Sequence, residues 1–143
     1  AAAVLASLPE TTILQAESLS NLAALKGIDG DHEGARSAAE AAVALLSDQE
    51  APAEHARALS NLSAALYALG CHQRAALMAR EAADILDAPS GTKMMALFNL
   101  GLARAATEEP AAAIAALQAA LALRAPATPP QVLDCFQRLS AQR

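Results

Sequence analysis

A four-residue pattern, Leu-x-Asn-Leu, recurs three times in this chain and constrains its fold more than any other feature. It stands at Leu19-Ser20-Asn21-Leu22, Leu59-Ser60-Asn61-Leu62 and Leu97-Phe98-Asn99-Leu100, at offsets of 40 and 38 residues. The register persists downstream. Thirteen residues after the second Leu come Ala35, Ala75 and Ala113, and seven further on come Ala42, Ala82 and Ala120. Pro9, Pro52, Pro89 and Pro126 punctuate the links. A period of this size describes one supersecondary unit that buries its apolar face against the next copy.

Composition decides what the units contain. The 143 residues include 41 Ala and 22 Leu, but three Val, four Ile, two Phe, one Tyr and no Trp. Ala and Leu are strong helix formers, whereas strands are built from β-branched and aromatic residues. The expected class is therefore all-α, with two amphipathic helices per unit. In the second unit the first helix closes at Leu69-Gly70, and Ala75, Met78, Ala79, Ala82 and Leu86 form one stripe of the next. The spacing predicts helices near 10–28, 32–47, 52–69, 72–87, 92–106, 110–124 and 129–141, with a helical stub at 1–8. The units run 10–51, 52–90 and 91–126. Residues 1–9 read as the end of a preceding repeat and 127–143 as a capping helix carrying Val132, Leu133, Phe136 and Leu139. The alternative architecture is a closed helix bundle.

The spacing of bulky and small residues resembles the tetratricopeptide repeat family over about residues 15–125. The pattern appears as Leu19, Leu22, Ala23, Ala35, Ala42, then Leu59, Leu62, Ser63, Ala75, Ala82, then Leu97, Leu100, Gly101, Ala113, Ala120. The long period, with Asn before Leu, is most similar to the kinesin-light-chain type. Ala39, Ala79 and Leu117 stand where the family has a bulky aromatic residue. The resemblance implies a right-handed α-solenoid of antiparallel helix pairs, about three repeats plus a C-terminal capping helix, with the first helix of each pair on the concave face.

Charge and motifs narrow the chemistry. Ten basic and fifteen acidic residues give a net charge of −5, opposite to the basic surface a nucleic-acid binder needs. No apolar run reaches the roughly 18 residues that span a bilayer, so no membrane partner is expected. Cys71 and Cys135 read as free thiols of a cytoplasmic protein. The Ala-rich composition points to a bacterial source. Asp29-Gly30-Asp31-His32-Glu33-Gly34 with Glu40 approximates a calcium loop. Arg36 and the helical register argue instead for an acidic turn with Asp31 as helix cap, so no metal is expected. His32 and His72 are equivalent turn residues and read as exposed, and His55 as solvent-facing. No nucleophile constellation or glycine-rich phosphate loop is visible, so neither enzymatic activity nor a cofactor is expected.

Asn is a poor mid-helix residue, and three in register call for a role. Its amide offers a donor and an acceptor, and in similar repeats an Asn ladder grips a ligand backbone. The expected function is a protein-interaction module holding an extended peptide or partner segment along Asn21, Asn61 and Asn99. Arg57, Tyr67, Met95, Phe98 and Leu102 are expected to flank them. Lys93 and Arg104 should make the third-unit end positive. The alternatives are a structural module that self-associates weakly through its repeat ends, and a sensor domain of a larger bacterial regulator.

Overall fold

The computed structural model describes residues 10–46 and 51–123. These form six α-helices and, among the described residues, no strand. They are α1 (Glu10–Ile28), α2 (His32–Leu45), α3 (Pro52–Ala68), α4 (His72–Ala83), α5 (Ser90–Ala106) and α6 (Pro110–Ala122). The helix expected at 129–141, the stub at 1–8 and the segments 1–9 and 127–143 lie outside the described residues. Five of the six observed helices end within two residues of expectation. The exception is α4, which stops four residues early. Its cap is Asp84, after which Ile85 turns into the core and Leu86, expected on the buried stripe, points to solvent.

Each helix packs on the next in sequence, α1 also packs on α3, and α3 on α5. Among the described helices α1 and α5 do not touch. None of these helices is long and apolar enough to cross a membrane. The register alanines carry the packing: Ala35, Ala75, Ala113, Ala42, Ala82 and Ala120 are all buried, as are Ala39, Ala79 and Leu117. A methyl side chain lets two helix axes approach closely, and Leu59, Leu66, Met94 and Leu117 supply the larger buried side chains. Bulk is exchanged between the two helices of the third unit. Gly101 stands where the other units have Ala23 and Ser63, and a Cβ there would lie 2.8 Å from the Leu117 side chain. Leu117 thus fills the space that the missing Cβ leaves.

The three turns inside the units share one hydrogen-bond pattern. The amide of Asp31 donates to the carbonyl of Lys26 at 2.8 Å, Cys71 to Leu66 at 2.9 Å, and Glu109 to Arg104 at 2.9 Å. This closure needs a left-handed residue just before the donor. Gly30 and Gly70 take it at φ +88° and +86°, but the third unit forces Glu108 to φ +61°. A side chain with Cβ in this region costs about 1 kcal/mol or more. Glu108→Gly is therefore expected to raise the unfolding free energy by about 1 kcal/mol, and Glu108→Ala to leave it nearly unchanged. Urea denaturation of the two variants, read at unchanged m-value, checks this.

Candidate functional site

The three asparagines lie on the face made by α1, α3 and α5, and the structure gives their amides a role between units. Asn61 Nδ2 donates to the Ser20 carbonyl oxygen at 3.0 Å. Asn99 Nδ2 donates to the Ser60 carbonyl oxygen at 3.1 Å and to Ser60 Oγ at 3.1 Å. Ser20 and Ser60 each precede the Asn of the unit before, so one bond repeats along the array. A carbonyl only accepts, which fixes the nitrogen edge of each amide against it. The Oδ1 atoms of Asn61 and Asn99 have no hydrogen-bond partner among the described residues. Asn21 differs: its Oδ1 accepts from the Arg57 guanidinium on α3. Exposure falls along the series, from exposed Asn21 through half-buried Asn61 to Asn99 at 7%.

Two open hollows run along this face. The first, about 260 Å³, lies between α1 and α3, with Ala24, Gly27, Ile28 and His32 facing Asn61, Ala64 and Ala68. The second, about 450 Å³, lies between α3 and α5, with Arg57, Ser60, Asn61 and Ala64 facing Thr92, Met95 and Asn99. Asn61 and Ala64 line both, which joins them into one groove. Small side chains leave the space open, and Asn61 stands in the middle of its floor.

Of the eight expected groove residues, Arg57, Asn61, Met95 and Asn99 meet in the second hollow, and Asn21 adjoins Arg57. Tyr67 does not join them. It packs on the cluster of Ala23, Leu62, Leu66 and Ala76, with its ring 5.1 Å from that of His72. Phe98 turns to Ala113, Ile114 and Leu117 beneath α6, because burying an aromatic ring gains more than exposing it in the groove. Leu102 is half-buried and lines neither hollow. Lys93 and Arg104, expected to make the third-unit end positive, line neither hollow; Lys93 donates to the Leu86 carbonyl at 3.1 Å, Arg104 pairs with Glu109 at 3.1 Å, and Arg57 is the cation that lines the second hollow. Sequence reasoning missed Pro89, Gly91 and Thr92, which wall that hollow from the start of α5. Their signal was the Pro-Ser-Gly-Thr break itself.

The histidines also differ from expectation. His55 and His72 are half-buried, and each has a buried Nδ1 without a partner. In the acidic turn, Asp31 caps α2 by accepting from the Gly34 amide at 3.0 Å and pairs with Lys26 at 3.3 Å. Glu33 and Glu40 both hold Arg36, and Glu40 also reaches Arg74 at 3.4 Å. Basic partners and the cap thus occupy these carboxylates. Among the described residues no group of three or more His, Cys, Asp or Glu could hold a metal ion.

No protein-family model matches this chain, and no curated protein matches it.

Two predictions follow from this geometry. Asn61→Ala and Asn99→Ala each remove an inter-helix hydrogen bond of about 1 kcal/mol net. Both should lower the melting temperature, Asn99 more, because its loss leaves the Ser60 hydroxyl and carbonyl buried without that donor. Calorimetry of the two variants checks the order. The second concerns Asp31, whose carboxyl is held below its ordinary value, first by the Gly34 amide and then by Lys26. A lowered folded pKa stabilises the protein above the ordinary carboxylate range, and that stability is lost as pH falls through it. Asp31→Asn keeps the cap without the charge, so its stability should fall less than that of the native protein between about pH 5 and pH 3. Thermal melts across that range measure the difference.

Proposed function

We propose that this chain is a protein-interaction module whose groove along α1, α3 and α5 holds an extended peptide or partner segment. In this reading units 10–51, 52–90 and 91–126 form a right-handed solenoid of the tetratricopeptide type, with the groove on its concave face. The packing order supports it. First helices that meet their neighbours, while the first and third stay apart, are what an open stack produces. A bacterial cytoplasm suits the exposed free thiol of Cys71.

The observation that carries the reading is the pair of Oδ1 atoms on Asn61 and Asn99 that the inter-unit bonds leave over, beside a groove walled mostly by apolar groups. Each can accept one N–H, which every peptide backbone offers whatever its side chains. Exposed Met95 supplies an apolar anchor and Arg57 a cation for an acidic ligand residue.

The test is selection of binding peptides from a random library, followed by fluorescence anisotropy. Arg57→Glu and Met95→Glu are expected to weaken the selected peptides at least about tenfold, near 1.4 kcal/mol. The melting temperature should stay close to that of the native chain for Met95→Glu, whose side chain is exposed, and fall for Arg57→Glu, which also loses the bond to Asn21. A library that yields no binder, or a binder indifferent to both substitutions, overturns the reading.

A further inference from the structure

The first hollow of the groove keeps open a place at which the next unit carries bulk. Gly27 and His32 both line it. The same register positions 40 residues on hold Tyr67 and His72. There the two rings pack together, with centroids 5.1 Å apart and planes at 56°, a tilted arrangement that sets the edge of one ring toward the face of the other. The opposite wall follows the same rule. Ala64 lines the first hollow and stands 38 residues before Leu102. The first hollow thus lacks the two larger side chains that the next junction carries at this level.

Neither backbone nor packing requires glycine at position 27. Its φ is not positive, unlike those of Gly30 and Gly70, and a Cβ there would meet nothing within 4 Å. Glycine inside a helix lowers stability relative to a residue with a side chain. What Gly27 does is hold the hollow open. At about 260 Å³ the space exceeds the roughly 150 Å³ in which a buried cavity admits a benzene ring. Its walls are mostly apolar, and Asn61 adds an Oδ1 atom with no hydrogen-bond partner among the described residues.

We propose that this hollow receives a phenol ring, that of a tyrosine in the bound segment, seated over Gly27 and against His32. The second unit supplies the template, because it sets its own phenol ring against the equivalent histidine. His32 gives the aromatic contact, the alanines give the apolar walls, and Asn61 Oδ1 accepts the phenolic hydroxyl. An aliphatic side chain offers neither the ring nor the donor. The proposal rests on the reading of the groove as a peptide site and gives that site a side-chain preference. It does not involve Arg57 or Met95, which line the second hollow, so the two readings can fail separately.

Nuclear magnetic resonance titration of the full 143-residue chain with p-cresol, a tyrosine side chain without its backbone, tests the pocket apart from any peptide. The expected result is saturable shifts of the Gly27, His32 and Asn61 amides. The dissociation constant should be about two- to tenfold below that of isopentanol, a leucine-like alcohol, which is what an aromatic pair adds beyond its buried area. Gly27→Tyr puts the chain's own ring into the hollow. It should abolish those shifts and raise the melting temperature. If circular dichroism shows that Gly27→Tyr loses its helices, Ala64→Leu, which copies Leu102, is read in its place for the same loss of cresol binding. Peptides selected on the native chain should carry a tyrosine and bind Gly27→Tyr at least about tenfold more weakly. Selected peptides without an aromatic residue, cresol that shifts only the Thr92 and Met95 amides or binds Gly27→Tyr as it binds the native chain, or isopentanol that binds as tightly as cresol would each overturn the proposal. Cresol bound in the hollow, with a library that yields no binder, supports the ring pocket and overturns the peptide reading alone.

Discussion

Everything in this structure depends on how closely its helices approach, and alanine sets that distance. Where α2 meets α3 and α4 meets α5, Ala42 and Ala82 are fully buried, and Ala39 and Ala79 fill sites that a larger residue would prise apart. Close approach has two consequences. It gathers dispersion contacts from small side chains that individually bury little area. It also brings the backbone carbonyls of one first helix within reach of a short side chain on the next. Asn61 can span from α3 to the Ser20 carbonyl only because the helices are this near.

That bond changes what the asparagines mean. An amide in mid-helix costs a few tenths of a kcal/mol in propensity relative to a good helix former, and one net hydrogen bond of about 1 kcal/mol offsets it. Asn61 and Asn99 therefore have a structural reason to recur in register before any ligand is considered. Their two edges then divide the work. The nitrogen edge of Asn61 and Asn99 ties neighbouring units, and the oxygen edge has no hydrogen-bond partner among the described residues. Asn21 departs from this pattern because its oxygen takes Arg57, so the groove is anchored differently at that end.

The parts of the fold that were readable in the sequence were those governed by local rules. The turns closed where Gly30 and Gly70 stood, α3 and α6 began at Pro52 and Pro110, and the register alanines were buried, since each follows from backbone geometry or helical period alone. The end of α4 was misread because Leu86 fits the apolar period as well as Ile85 does, and only the turn toward Pro89 decides between them. The site was readable only by face. The spacing placed Arg57, Asn61, Met95 and Asn99 together, but it could not say that Phe98 turns toward α6. At the same register stand Ser20 and Ser60, which give no hint of an aromatic preference. Nor could it say that Lys93 and Arg104 are engaged with Leu86 and Glu109. Such choices depend on tertiary neighbours that no single helix encodes.

The same tertiary dependence explains why the units are not interchangeable despite their register. Gly101 and Leu117 form a matched pair: leucine occupies the volume vacated by a Cβ, whereas the first two units keep Ala23 with Ala39 and Ser63 with Ala79. Ser63 uses its position differently again, donating to the Ala75 carbonyl at 2.7 Å. Transplanting Leu117 alone into an earlier unit would overpack it, and transplanting Gly101 alone would leave a void. Volume is balanced within each helix pair rather than at each position. The register therefore preserves distances between helices while the residues that set them vary in pairs.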